Sequence, residues 1–132
     1  MGSDGEFMIY WITGRANSGK TTLAYKMAED LKSEGKQTLI LDGDEIRELF
    51  PTGFSDDERR THILNIAKIA SIAEAQGIIV IIALISPTVR WRTEARSLFK
   101  ESKLIYLSEG TLWSGTSYEE PTEEELREDY CI

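Results

Sequence analysis

Cysteine is nearly absent from this chain of 132 residues: Cys131 stands alone, which excludes an internal disulfide and a cysteine-rich metal site. Histidine is as scarce, with His62 the single one. No long apolar run is present; the longest, Ile78 to Ile85, falls far short of a membrane span. No secretory leader is legible, and the expectation is a cytoplasmic protein with no membrane partner. Basic residues are outnumbered 15 to 23, and the net charge of −8 argues against a general nucleic-acid or anionic-membrane binder. That charge is unevenly placed. Residues 8–108 are nearly balanced, whereas 109–132 carry eight acidic side chains against one basic. The expected organisation is an expression-tag remnant over 1–7, one domain over 8–107 and an acidic C-terminal tail over 108–132.

What is present is a regular alternation. Met8–Thr13 reads as a buried strand and Thr21–Glu34 as a helix stopped by Gly35. Gln37–Leu41 reads as a strand, and Asp44–Phe50 as a short helix broken by Pro51. Ser55 and Glu58 form a capping-box pattern, opening a helix that runs to about Gln76 and ends at Gly77. Its extra Ile69 and Ile72 suggest deep burial. Ile78–Leu84 is apolar on both faces, as a central parallel strand should be. Ser86-Pro87 suggests an N-cap and first helical residue for a helix to about Glu101. Lys103–Leu107 is a fourth strand, and Glu123–Tyr130 suggests a short terminal helix. The order predicts an α/β fold of three layers, a P-loop NTPase or kinase fold with a parallel sheet of four to five strands. Ligands then belong at the strands' carboxyl ends.

The motifs fall there. Gly14-Arg-Ala-Asn-Ser-Gly19-Lys20-Thr21 fits G-x-x-x-x-G-K-[ST] between a strand and a helix. Backbone N–H groups of such a loop cradle phosphate oxygens at the positive end of a helix. Lys20 would reach the β- and γ-phosphates, and the Thr21 hydroxyl would ligate Mg²⁺. Arg15 is open to either phosphate or solvent. Asp42-Gly43-Asp44 ends the second strand, with Arg47 one turn later. A carboxylate there could orient an acceptor hydroxyl or hold Mg²⁺ through water, and Arg47 could grip an anion. The plainer alternative makes Asp44 a helix cap and Arg47 a surface residue.

Taken together these segments resemble a known family. The phosphate loop Gly14–Thr22, LDGDEIR (Leu41–Arg47), GFSDDER (Gly53–Arg59) and ISP (Ile85–Pro87) with Arg92 and Ala95-Arg96 are similar to adenylylsulfate (APS) kinase. The resemblance runs from about Ile9 to Leu107, and Tyr118–Pro121 (YEEP) is similar to a late segment of the family. It implies a kinase that moves the γ-phosphate of ATP to the ribose 3′-hydroxyl of adenylylsulfate, with ATP and Mg²⁺ as cofactors. The nucleotide site it implies is Gly14, Ala16, Asn17, Ser18, Gly19, Lys20, Thr21 and Thr22, with Thr21 on the metal. Lys20, Asp42 and Asp44 become the catalytic set. Asp44, Arg47, Phe54, Arg59, His62, Ser86 and Arg96 become the acceptor set. The partner expected is a small-molecule acceptor, with nucleic acid disfavoured and a homodimer left open.

The chain also departs from the family. His62 stands where the family has a substrate-contacting asparagine, Leu64 and Asn65 replace basic positions, and Thr88 replaces the tyrosine of ISPY. The basic lid is missing: only Ser108–Leu112 separates the fourth strand from Trp113-Ser-Gly, which matches the family's FTG. This is a shortened form, and transfer without a lid is expected to be slower or more hydrolytic. Two rivals follow. One is a P-loop kinase for another hydroxyl acceptor: a nucleoside, nucleotide, sugar or 5′-hydroxyl nucleic acid. The other is a nucleotide-binding regulatory protein with little turnover. Arg90, Arg92 and Arg96 read as a solvated helix face, with Arg96 the exception that the motif suggests. Trp11 reads as core, Trp91 and Trp113 as candidates to stack on a base, and the Glu-rich end as solvated.

Overall fold

A computed structural model describes residues 8–110 and 118–126. Residues 1–7, Trp113 and Cys131 lie outside the described residues, as does the end of the helix expected over Glu123–Tyr130. The described chain runs β1 (Ile9–Gly14), α1 (Lys20–Ser33), β2 (Thr38–Asp42), α2 (Gly43–Leu49), α3 (Asp56–Ala75), β3 (Ile79–Ala83), α4 (Val89–Arg96), β4 (Lys103–Leu107) and α5 (Glu123–Leu126). The four strands form one parallel sheet in the order β2-β3-β1-β4.

Period-two alternation builds the three layers. Ile9 and Trp11 of β1 and Val80 and Ile82 of β3 point to one face, where they meet Ile63, Ile66, Ala67 and Ala70 of α3 and Ala95 of α4. Ile12, Ile81 and Ala83 point to the other face, against Ala24 and Ala28 of α1. Because both faces are covered, β3 is buried at every position.

The helix starts follow local chemistry. Ser55 Oγ accepts from the Glu58 backbone N–H while Glu58 Oε1 accepts from the Ser55 N–H, the reciprocal capping box that the pattern predicts. Gly35 and Gly77 take positive φ (81° and 80°) just after α1 and α3, conformations that would strain any side chain.

Three expectations change. Asp42, not Asp44, caps α2: its Oδ1 accepts from the Asp44 N–H at 2.9 Å. Thr88, not Ser86, caps α4, which is correspondingly short and ends at Arg96. Ile72 is 61% exposed, so α3 presents an apolar residue to solvent where burial was expected.

Candidate active site

Parallel strands put Gly14, Asp42, Ala83 and Leu107 at one edge of the sheet. The segments leaving that edge enclose a cleft of about 380 Å³, within the usual size range of ligand sites. At one end are Ala16, Asn17, Ser18, Gly19, Lys20, Thr21 and Thr22; at the other are Arg47, Phe54, Arg59, His62 and Ser86; Asp42 and Asp44 lie between.

The phosphate loop takes its shape from two left-handed residues, Asn17 (φ 61°) and Gly19 (φ 98°). Gly19 is the N-cap of α1, so the helix's free N–H groups open into the cleft. The Lys20 ammonium donates to the Arg15 carbonyl at 2.7 Å. Burial lowers its pKa, and Asp44 and then Asp42 oppose that shift. Thr21 Oγ1 donates to Asp42 Oδ2 at 2.7 Å. A hydroxyl backed by a carboxylate is an oxygen donor set suited to a hard divalent cation. Among the described residues, no cluster of three His, Cys, Asp or Glu is placed to hold a metal by itself. Phosphate oxygens would have to complete such a site. Gly14 stands apart from the rest of the predicted nucleotide set. It does not line the cleft; a Cβ there would lie 2.7 Å from the Leu107 carbonyl oxygen and 2.8 Å from Ser18 Oγ, so its smallness serves the close approach of β4 and of the phosphate loop to the end of β1.

The other end of the cleft is assembled from side chains. Phe54 is 55% exposed, with the Arg47 guanidinium 4.4 Å and the Arg59 guanidinium 5.8 Å from its ring centroid. Arg47 Nη1 also donates to the Thr52 and Gly53 carbonyls, at 3.3 and 3.0 Å, which fixes the loop that carries Phe54. His62 is buried and hydrogen-bonds to the Gly43 backbone; burial first, then the charge of Arg47, lowers its pKa and favours the neutral ring.

Ser86 is fully buried with φ at 43°, a left-handed conformation that costs a non-glycine residue about 1–3 kcal/mol. Its hydroxyl accepts from Trp11 Nε1 at 3.1 Å and lies 3.0 Å from Thr13 Oγ1. Trp11 is core, as expected, but its indole N–H is a structural donor too.

Arg96 is a correction. Helix α4 runs back from the cleft toward the opposite edge of the sheet, and Arg96 is buried there, donating to Ser102 Oγ and to the Ser102 carbonyl just before β4. Seven helical residues, Val89 to Ala95, lie between it and the turn at Ser86, and it does not line the cleft. Arg92 also departs from the solvated-face expectation. It is wholly buried, donates to the Ser86 carbonyl at 2.7 Å and to the Glu119 carbonyl at 2.8 Å, and pairs with Glu125 at 3.0 Å. Trp91 packs against the core rather than standing free.

The acidic end is similarly more than a solvated run. Tyr118 stacks on Tyr106 and bonds Thr13 at 2.9 Å; Glu119 Oε1 accepts from the Val89 N–H; Glu120 pairs with Arg15 of the phosphate loop. Thr122 and Glu125 form a second capping box, a T-x-x-E signal readable in the sequence. The pairing of Glu125 with Arg92 has no local signal, since 33 residues separate the two.

Fold, phosphate loop and cleft together define a P-loop kinase class of protein. The chain matches the adenylylsulphate kinase family over residues 6–111, and it belongs to that family. It is 42% identical over 97 residues to an adenylyl-sulfate kinase of Bacillus velezensis, covering 72% of this chain and 49% of that relative. It is 38% identical over 100 residues to a probable adenylyl-sulfate kinase of Archaeoglobus fulgidus, covering 74% of this chain and 64% of that relative. Among solved structures, it is similar to the Mycobacterium tuberculosis APS kinase in complex with AMPPNP and APS, with a TM-score of 0.71 and 25% identity, over 75% of this chain and 61% of that one. The chain spans about half the length of the bacterial relatives it matches. Among the described residues, no helix is long and apolar enough to cross a membrane.

Proposed function

We propose that this chain transfers the γ-phosphate of ATP to the ribose 3′-hydroxyl of adenylylsulfate. The observation that carries the reading is the layout of one cleft. A phosphate loop stands at one end, an arginine-flanked aromatic at the other, and a carboxylate pair between them. Membership of the adenylylsulphate kinase family supports the choice of acceptor.

In this reading the loop residues Ala16 to Thr22 hold the ATP phosphates through backbone N–H groups, and Lys20 neutralises charge on the migrating group. Thr21 and the ATP phosphates would hold Mg²⁺, which would supply further charge neutralisation when bound. Asp42 orients the acceptor hydroxyl, and Asp44 helps set the field there. Arg47 and Arg59 hold the adenylylsulfate anion, the exposed Phe54 face takes its adenine, and His62 and Ser86 shape the wall beside it.

The test is incubation with Mg-ATP and adenylylsulfate, then with a panel of nucleosides, nucleotides, sugars and 5′-hydroxyl oligonucleotides, following ADP and phosphorylated product. ADP formed together with 3′-phosphorylated adenylylsulfate is the expected result. ADP that appears only with another acceptor overturns the choice of acceptor. ATP binding with no acceptor-dependent ADP overturns the kinase reading altogether.

A further inference from the structure

Proton counting around Thr13 gives its hydrogen bonds a direction. The Thr13 hydroxyl has one proton and two lone pairs. Its shortest contact is the Ile85 carbonyl at 2.7 Å, which can only accept, so the proton goes there. The remaining neighbours, Ser86 Oγ at 3.0 Å and Tyr118 OH at 2.9 Å, must both donate to Thr13. Ser86 in turn accepts from the Trp11 indole. The chain of donors therefore runs from Trp11 to Ser86 to Thr13 to Ile85, with Tyr118 joining at Thr13. For the Ser86 proton Thr13 at 3.0 Å is a nearer acceptor than the Leu84 carbonyl at 3.4 Å, so the proton is directed inward, away from the cleft. What Ser86 offers the cleft is the fixed shape of its turn.

Two further contacts hold that turn. Arg92 Nη1 donates to the Ser86 carbonyl at 2.7 Å, and the Glu119 N–H donates to the Pro87 carbonyl at 2.7 Å. Arg92 is itself clamped by Glu125, which is 5% exposed. Apart from Thr13, Trp11 and a longer contact of Ser86 Oγ with the Leu84 carbonyl at 3.4 Å, the contacts that hold the left-handed Ser86 turn lead into residues 118–126.

We infer that Tyr118, Thr13 and the Arg92–Glu125 pair are positioning residues: the acidic segment 118–126 sets the Ser86–Pro87 wall of the acceptor end of the cleft. The assignment of that end to adenylylsulfate rests on the function proposed above; the coupling of the segment to the turn does not.

The test uses the full chain with Tyr118→Phe, which removes one hydroxyl and keeps the stacked ring, and with Thr13→Val against Thr13→Ser. Tyr118→Phe and Thr13→Val should raise KM for adenylylsulfate about three- to tenfold, the range of one buried hydrogen bond. KM for ATP should stay within about twofold, and Thr13→Ser should restore the wild-type value. A purely structural role would instead lower kcat through a smaller active fraction and leave the KM values alone, and that outcome overturns the assignment. A second readout is free of turnover. The Trp11 indole N–H resonance, donated to Ser86, should move in Tyr118→Phe and in Glu125→Gln, and an unmoved resonance overturns the coupling. If the wild-type chain does not use adenylylsulfate, the acceptor reading has failed, and the indole resonance still decides whether the segment sets the turn.

Discussion

The two ends of the cleft are built in opposite ways. The loop end is continuous chain: seven lining residues, Ala16 to Thr22, follow one another in sequence, and their work is assigned mostly to backbone N–H groups. The other end gathers Arg47, Phe54, Arg59, His62 and Ser86 from α2, α3 and the segments beside them. Its groups act through side chains held by further side chains, down to Glu125. A backbone site tolerates substitution wherever only the N–H group is used, which at this end leaves out Lys20 and Thr21, whose side chains have roles of their own. A side-chain site changes with each member.

Asp42 touches both ends, so it gives the largest expected effect and the sharpest test of the contrast. It caps α2 through Oδ1 and accepts from Thr21 through Oδ2. Asp42→Asn keeps a good helix cap and removes the charge. Transfer to adenylylsulfate should fall by about 10²–10³-fold, the scale of a lost electrostatic group in an active site, with thermal stability close to wild type. Asp42→Ala should lose the cap as well, at about 1 kcal/mol. If Asp42→Asn retains full kcat, the carboxylate is a structural cap and the catalytic assignment is wrong.

Arg47 should give the next largest effect and confine it to one end. Arg47→Ala removes charge-assisted hydrogen bonds worth about 1.5–3 kcal/mol, so KM for adenylylsulfate should rise about 10- to 150-fold. ADP affinity, measured by calorimetry, should stay within about twofold. Arg47→Lys should recover only part of the loss, because an ammonium cannot both stack on Phe54 and reach the Thr52 and Gly53 carbonyls as the guanidinium does. An equal loss of ADP affinity would mean that the two ends are not separable.

The same contrast explains how much of the molecule is legible in the sequence. Strands and long helices follow from local period, and the phosphate loop follows from eight consecutive residues whose glycines and lysine have no other common use. The capping box at Ser55 was equally local. The burial of Arg92 and Arg96 has no local signal. An arginine on a short helix is ordinarily solvated, and only partners 33 residues away (Glu125) or beyond the helix end (Ser102) make burial affordable. The family motif brought Arg96 into the acceptor set, but the direction of α4, fixed by tertiary packing, carries it to the far edge of the sheet. Ser86 was found by motif while its inward-facing hydroxyl was not, since Trp11, Thr13 and Tyr118 meet it only in the fold.

His62 gives the smallest expected effect and tests the acceptor end from the side of stability. Burial and the neighbouring Arg47 lower its pKa below the ordinary 6.5, against the opposing pull of the Gly43 backbone and Asp44. The unfolded chain therefore takes up a proton first as pH falls through about 6.5, and the folded chain follows only at lower pH. Stability contributed by the neutral ring is fully present above the unfolded value and declines as pH drops toward the folded one. The wild-type melting temperature should fall between pH 7.5 and 5.5, and His62→Asn should flatten that part of the profile. The acidic groups whose pKa values are lowered, Glu58 and Glu94, titrate below this window, and comparison with the variant cancels what they contribute. Asparagine keeps an amide N–H that could serve the Gly43 backbone without a titrating ring, so little stability should be lost at pH 7.5. Parallel profiles for the two proteins would mean that the ring is solvated rather than held beside Arg47, and the acceptor end would then be looser than its side chains suggest.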